Sequence, residues 1–204
     1  IYSTFLQRAY DQVFQEVALQ EENVILALDR AGLVGQDGPT HQGLYDLAYL
    51  RTLPGIQLAS PRDGADLQRM LEAALECGGP WSLRWPRGSV VHELSNPAGM
   101  RPDLIPGTAE RLRDGCDGEI FALGAMVENA LEAAEILSAE KIQLEVWDAR
   151  FCRPLDTGAL ADASRRHPFI ATVEEHALQG GFGSAVTEAL ADMGIVIPVS
   201  RHGV

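Results

Sequence analysis

Short apolar runs alternate with stretches of helical period along this chain, and that alternation limits the fold more than any other feature. The runs "VILAL" at 24–28, "IQLAS" at 56–60 and "WSLRW" at 81–85 read as buried strands. Between them the spacing predicts a helix capped by Thr4 and running to about Gln20, with Phe5, Ala9, Val13 and Val17 on or near one face. A short helix from Leu44 to about Arg51 and a longer one over 62–76 complete the unit. A second alternation starts near residue 118: "EIFALG", a helix over 127–138, "IQLEVWD", a helix over 157–166, "FIATVEE", a glycine-rich entry to a last helix in "GGFGSAVTEALADM", and "IVIPVS". Both units have the order of a parallel-sheet α/β domain.

Between about Val90 and Gly118 the periodicity fails, and "SNPAGMRPDLIPG" has three prolines and two glycines in thirteen residues, the composition of an extended connector. The chain therefore reads as two consecutive α/β domains, 1–90 and 118–204, with a linker over 91–117. Its 204 residues suffice for two small cores.

Charge narrows the partners. Sixteen basic against 29 acidic side chains leave a net charge of −13, which repels phosphate backbones and anionic lipid, so neither nucleic acid nor membrane is an expected partner. Cys77, Cys116 and Cys152 lie far apart with no CxxC spacing, which predicts reduced, buried structural thiols and a cytoplasmic chain. No apolar run reaches the roughly eighteen residues of a membrane span, and no signal-peptide pattern opens the chain. It begins "IYSTFLQRAY", without Met and already inside a structured pattern, which predicts a fragment.

The loop "DRAGLVGQDGPTHQG" at 29–43 follows the first predicted strand at its carboxyl end, where open α/β sheets bind ligands. Gly35, Gly38 and Gly43 let its backbone turn tightly, and Asp37 and His41 lie four residues apart. A carboxylate beside an imidazole makes a proton relay or an oxyanion donor; the same residues also make a plain surface turn. Asp29, Asp37, His41 and Asp46 match no metal-ligand spacing. Arg30 and Arg87 each follow a predicted strand and so face one crevice, as an anion site or as ordinary surface ion pairs. Alternation along "WSLRW" can send Arg84 to the opposite face. The "GGFG" after His176 suggests a phosphate cradle, but no lysine accompanies it. His92, His167 and His202 show no partner pattern.

Taken together, "YSTFLQRAYDQ", "DRAGLVGQDGPTHQG", "RWPRG", "DARFCRPLD" and "TVEEHALQGGFGSAV" resemble the 1-deoxy-D-xylulose-5-phosphate synthase family, thiamine-diphosphate enzymes of the transketolase superfamily. The "DGPTHQ" piece is shared with transketolases, and a related histidine occurs in 2-oxoacid dehydrogenase β subunits; "DRAG" with "YSTFLQRAYDQ" is more specific. The resemblance implies that 1–90 is a pyrimidine-binding domain truncated at its N-terminus, and 118–204 a transketolase C-terminal domain truncated at its C-terminus. The diphosphate-binding domain that holds Mg2+, and the glutamate that bonds the aminopyrimidine, would lie outside the chain, leaving no metal ligand in it and no activity of its own.

The implied reaction is the decarboxylative condensation of pyruvate with glyceraldehyde 3-phosphate, releasing CO2 and feeding isoprenoid, thiamine and pyridoxal synthesis. Carried over, Tyr2 and Phe5 would line the cofactor's pyrimidine pocket, Phe5 also reading as a plain core residue. Arg30 and Arg87 would clamp the acceptor phosphate, Arg8 would add positive charge, and His41 with Asp37 beside it would move the proton. The family usually forms homodimers. Alternatives are another transketolase-like enzyme, a 2-oxoacid dehydrogenase β subunit, and a noncatalytic α/β regulatory module.

Overall fold

The computed structural model describes residues 1–89 and 101–204. The first sheet has the order β1 (Ile25–Leu28), β3 (Trp81–Arg84), β2 (Gln57–Ala59) and β7 (Phe151–Arg153). Its first three strands are parallel, as the alternation predicts. The second sheet runs β4 (Glu110–Arg113), β6 (Leu144–Asp148), β5 (Gly118–Ala122), β8 (Ile170–Val173) and β9 (Val199–His202). Here β6, β5, β8 and β9 are parallel.

Two strands depart from the expected pattern, and each adds an antiparallel edge, so both sheets are mixed. Strand β4 lies inside the stretch read as a linker, and pairs with β6. Strand β7 comes from the second unit but pairs with β2 of the first. The chain leaves β6, turns at Arg150 with φ of 57°, and crosses to the other sheet.

The first helical stretch, α1, covers residues 3–18 and changes pitch: α turns at Ser3–Leu6, a tighter turn at Gln7–Ala9 and wide π turns over Val13–Ala18. Thr4 does not cap it. The helix starts one residue earlier, and the buried Thr4 hydroxyl donates instead to the carbonyl of Thr40, 3.0 Å away, tying α1 to the 29–43 loop. Helices α2 (Asp46–Leu50), α3 (Gly64–Cys77), α4 (Met126–Ala139), α5 (Thr157–Arg166) and α6 (Phe182–Asp192) occupy the predicted places. Asp63 caps α3 by accepting from the Asp66 amide, and Asp156 caps α5 by accepting from the Ala159 amide.

The apolar faces of the two units meet. Leu47, Leu50 and Leu58 of the first pack in one cluster with Phe121, Leu160 and Phe182 of the second. The ends of β1 and β3, where the candidate residues lie, are thus supported from both units. Of the three cysteines expected to be buried, Cys152 is, while Cys77 at the end of α3 and Cys116 before β5 are exposed.

Candidate active site

The 29–43 loop leaves the carboxyl end of β1 and folds back on itself. Its base is closed by an antiparallel bridge in which Gly32 and Gly43 each donate to the other at 2.8 Å. Gly43 admits no side chain, since a Cβ there would stand 2.4 Å from the Arg30 carbonyl oxygen. Inside the loop, Gln42 accepts from the Val34 amide through Oε1 and donates to the Gly38 carbonyl through Nε2, both at 2.9 Å. Two single turns, Gly35–Asp37 and Pro39–His41, form the tip, joined by Gly38 at φ of 80°.

The seven residues to which the family resemblance gives a site role lie in one connected cluster here. Arg30 has φ of 58°, a left-handed conformation rare outside glycine, and its guanidinium stands 4.1 Å over the Tyr2 ring. It donates to Asp37, whose other oxygen accepts from Arg87 at 2.8 Å. Tyr2 stacks on Phe5 with ring centres 5.5 Å apart and planes 11° from parallel. Phe5 takes the His41 ring edge-on at 5.4 Å and the Arg8 guanidinium at 5.8 Å. Phe5 is 37% exposed as a residue, which is too open for a plain core position.

Asp37 does not pair with His41. Its two oxygens go to Arg30 and Arg87, and the imidazole Nδ1 shares a hydrogen bond of 2.9 Å with the Thr40 hydroxyl. The imidazole is therefore oriented by the Thr40 hydroxyl and by its edge-on contact with Phe5. Asp29 lies 3.6 Å from Arg30, and Asp46 is buried against Arg84. This donor set is cationic and aromatic, suited to anions and rings, not to a divalent cation.

Arg84 turns away from the cluster, as alternation allows, and holds it from beneath. It donates to Asp46 at 2.8 Å, to the Glu175 carbonyl at 3.2 Å and to the Gly43 carbonyl at 3.5 Å. The "GGFG" turn is filled by the protein itself: the buried Glu174 carboxylate accepts from the Phe182 and Gly183 amides at 2.6 and 2.7 Å, where a bound phosphate would sit. Burial raises the Glu174 carboxyl above its usual value, and these amides pull it back. His176 is fully buried, which lowers its pKa, and its Nδ1 donates to the Ala177 carbonyl at 2.7 Å. His92 lies outside the described residues.

Two groups escaped the sequence reading. Glu175 reaches from the second unit to the loop, where its Oε1 accepts from the Leu33 amide at 2.9 Å. Glu119 and Glu145 face His167 in a buried trio, with imidazole Nε2 3.5 and 3.2 Å from the two carboxylates. One glutamate in each of "EIFALG" and "IQLEVWD" is the signal that marks the trio. Arg166 donates to Glu145 and to His167, supplying the positive charge a metal would bring.

Residues 1–92 match the transketolase pyrimidine-binding domain and residues 107–204 match the transketolase C-terminal domain. Over its whole length the chain is 49% identical to a 1-deoxy-D-xylulose-5-phosphate synthase of Crocosphaera subtropica and 52% identical to one of Thermomicrobium roseum. It spans 32% of the length of each. Among solved structures, all of the chain aligns with 65% of a split-gene transketolase described as an inactive β4 tetramer, at 35% identity and a TM-score of 0.89. All of it also aligns with 29% of a transketolase mutant from Pichia stipitis, at 21% identity and a TM-score of 0.77, a likeness of fold.

Proposed function

Since the chain belongs to the transketolase family and carries its pyrimidine-binding and C-terminal domains, we propose that it serves a 1-deoxy-D-xylulose-5-phosphate synthase, a thiamine-diphosphate-dependent transferase. The enzyme joins pyruvate to glyceraldehyde 3-phosphate with loss of CO2, in the cytoplasm, for isoprenoid, thiamine and pyridoxal synthesis. The observation that carries this reading is the convergence of Tyr2, Phe5, Arg8, Arg30, Asp37, His41 and Arg87 on one partly exposed cluster at the strand ends.

Thiamine diphosphate, when bound, supplies the carbon nucleophile and the electron sink. The exposed aromatic pair fits its flat pyrimidine ring, with Phe5 as the stacking face and Tyr2 behind it. Arg30 and Arg87 bind the acceptor phosphate with planar forks of donors, and Asp37 holds both guanidiniums in place before the anion arrives. His41, directed by Thr40, moves a proton at the aldehyde oxygen. Arg8 adds positive charge on the far side of Phe5. The Mg2+ that accompanies the diphosphate is held by residues in the two thirds of the relatives' length that this chain does not span. The working enzyme is read as a homodimer and these 204 residues as inactive by themselves; the split-gene transketolase they resemble is described as an inactive β4 tetramer.

The test is CO2 release by the intact enzyme supplied with thiamine diphosphate, Mg2+ and pyruvate, with and without glyceraldehyde 3-phosphate. Release strongly stimulated by the aldehyde, with deoxyxylulose phosphate formed, is expected. Use of ketose donors in place of pyruvate would make it another transketolase-like enzyme. No release in either case would leave a noncatalytic α/β module.

A further inference from the structure

We infer that Glu175 is a positioning residue: from the second unit it fixes the entering leg of the substrate loop, so that the C-terminal domain sets the geometry of the phosphate clamp. This inference rests on the reading of Arg30 and Arg87 given above.

The loop has two legs, one leaving β1 through Ala31 to Leu33 and one returning through Gly43 and Leu44. Each leg is held by the segment that follows β8. On the entering leg, the Leu33 amide donates to Glu175 Oε1 at 2.9 Å. On the returning leg, the Ala177 amide donates to the Leu44 carbonyl at 3.1 Å. Arg84 lies between, donating to the backbone carbonyls of both Gly43 and Glu175.

The Glu175 side chain fills the space beside Gly32, whose φ is 86°; a Cβ there would stand 2.3 Å from Glu175 Cδ. A carboxylate this close to the backbone leaves the leg little freedom to shift. Arg30 is two residues upstream of Gly32 and is itself held left-handed, so its guanidinium direction depends on where the leg is pinned. Burial raises the Glu175 carboxyl above its usual value, while the Leu33 amide and the Arg84 charge favour the ionised form. None of these contacts touches the proposed substrate, so the residue acts through the loop.

The test compares Glu175→Gln, which keeps an oxygen acceptor, with Glu175→Met, which keeps length and packing but accepts no hydrogen bond from the amide. Both are made in the intact enzyme. The Met variant is expected to raise the KM for glyceraldehyde 3-phosphate about tenfold with a smaller change in kcat and in the KM for pyruvate, and to speed hydrogen exchange across 31–36 about tenfold. The Gln variant is expected to stay within about twofold of wild type on each measure. Should the Met variant not fold, Glu175→Ala replaces it with the same expectation. Equal behaviour of the Gln and acceptor-free variants, whether both intact or both impaired, would overturn the inference. A wild-type enzyme with no synthase activity would overturn the functional reading instead, and the exchange measurement would still decide whether Glu175 holds the loop.

Discussion

At the residue scale, α1, the loop and the turn after β3 bring together three guanidiniums, Arg8, Arg30 and Arg87, and two carboxylates, Asp29 and Asp37, leaving one positive charge for an incoming anion. Arg30 and Arg87 differ in how much holds them. The Arg30 side chain is packed on Tyr2 and paired with Asp37, while the Arg87 side chain is 41% exposed and has Asp37 as its ion-pair partner. Replacing either by Ala should raise the KM for glyceraldehyde 3-phosphate by about tenfold to a hundredfold, the loss of a charged hydrogen bond, while the KM for pyruvate changes far less. Steady-state kinetics with each substrate varied in turn checks this, and an unchanged acceptor KM would remove the clamp. Arg30→Lys should not restore function, because an ammonium neither stacks on Tyr2 nor forks onto Asp37. His41→Ala should lower kcat by about 10² to 10⁴, the usual worth of a positioned proton carrier, and full turnover would exclude that role. The loop residues were legible because they share one motif. Their partners were not: Arg87 meets Asp37 across 50 positions and Glu175 meets Leu33 across 142, and no local pattern encodes such pairs.

At the element scale, parallel pairing puts Glu119 of β5 directly beside Glu145 of β6, so both carboxyl groups leave the same face at the same level. Arg166 and Trp147 satisfy Glu145, whereas both Glu119 oxygens are buried without a hydrogen-bond partner among the described residues. Burial first, then the Glu145 charge, pushes the Glu119 carboxyl up from 4.5 to about 8, against the pull of Arg166 and Arg111. Between these values the folded chain keeps the proton that the unfolded chain gives up, so the folded state binds more protons and its stability falls as pH rises from about 4.5 to 8. Glu119→Gln, neutral throughout, should remove this part of the fall, leaving the chain more stable than wild type at pH 8 with little difference at pH 4.5. Urea melts of both proteins at the two pH values check it, and a difference that does not grow with pH would count against a protonated Glu119. The long elements were readable because eight or more residues of clear period outweigh local noise. Strands β4 and β7 were not: "ERLR" and "FCR" are too short for a period, and each exists because a neighbouring sheet offers an edge. The last strand, read as "IVIPVS", forms later, at Val199–His202, since Pro198 has no amide to give a ladder.

At the scale of the whole molecule, the two α/β units are tied by more than a connector. Strand β7 completes the first sheet from the second unit, and buried ions cross between the units. Arg62, which follows β2, donates to Glu110 of β4 at 2.7 Å and to Asp148 at the end of β6 at 2.9 Å, while Arg150 also binds Glu110. Burial raises the Asp148 carboxyl, and Arg62 and Arg150 pull it down. No sequence pattern announces this, because the charges come from three separate segments and each alone looks like an ordinary surface residue. Two units sharing a sheet, a core and an ion network should lose structure together, so amides in β3 and β5 should exchange with the same free energy. Arg62→Met should cost about 3–5 kcal/mol at pH 8 by leaving buried carboxylates short of a cation. The loss should shrink toward pH 5, because without Arg62 the Asp148 carboxyl rises further and takes up a proton, which removes the uncompensated charge. Hydrogen exchange and urea melts on the variant at both pH values check this. A loss confined to the β3 side, with β5 protection unchanged, would mean that the units fold separately and that the ions only decorate their contact.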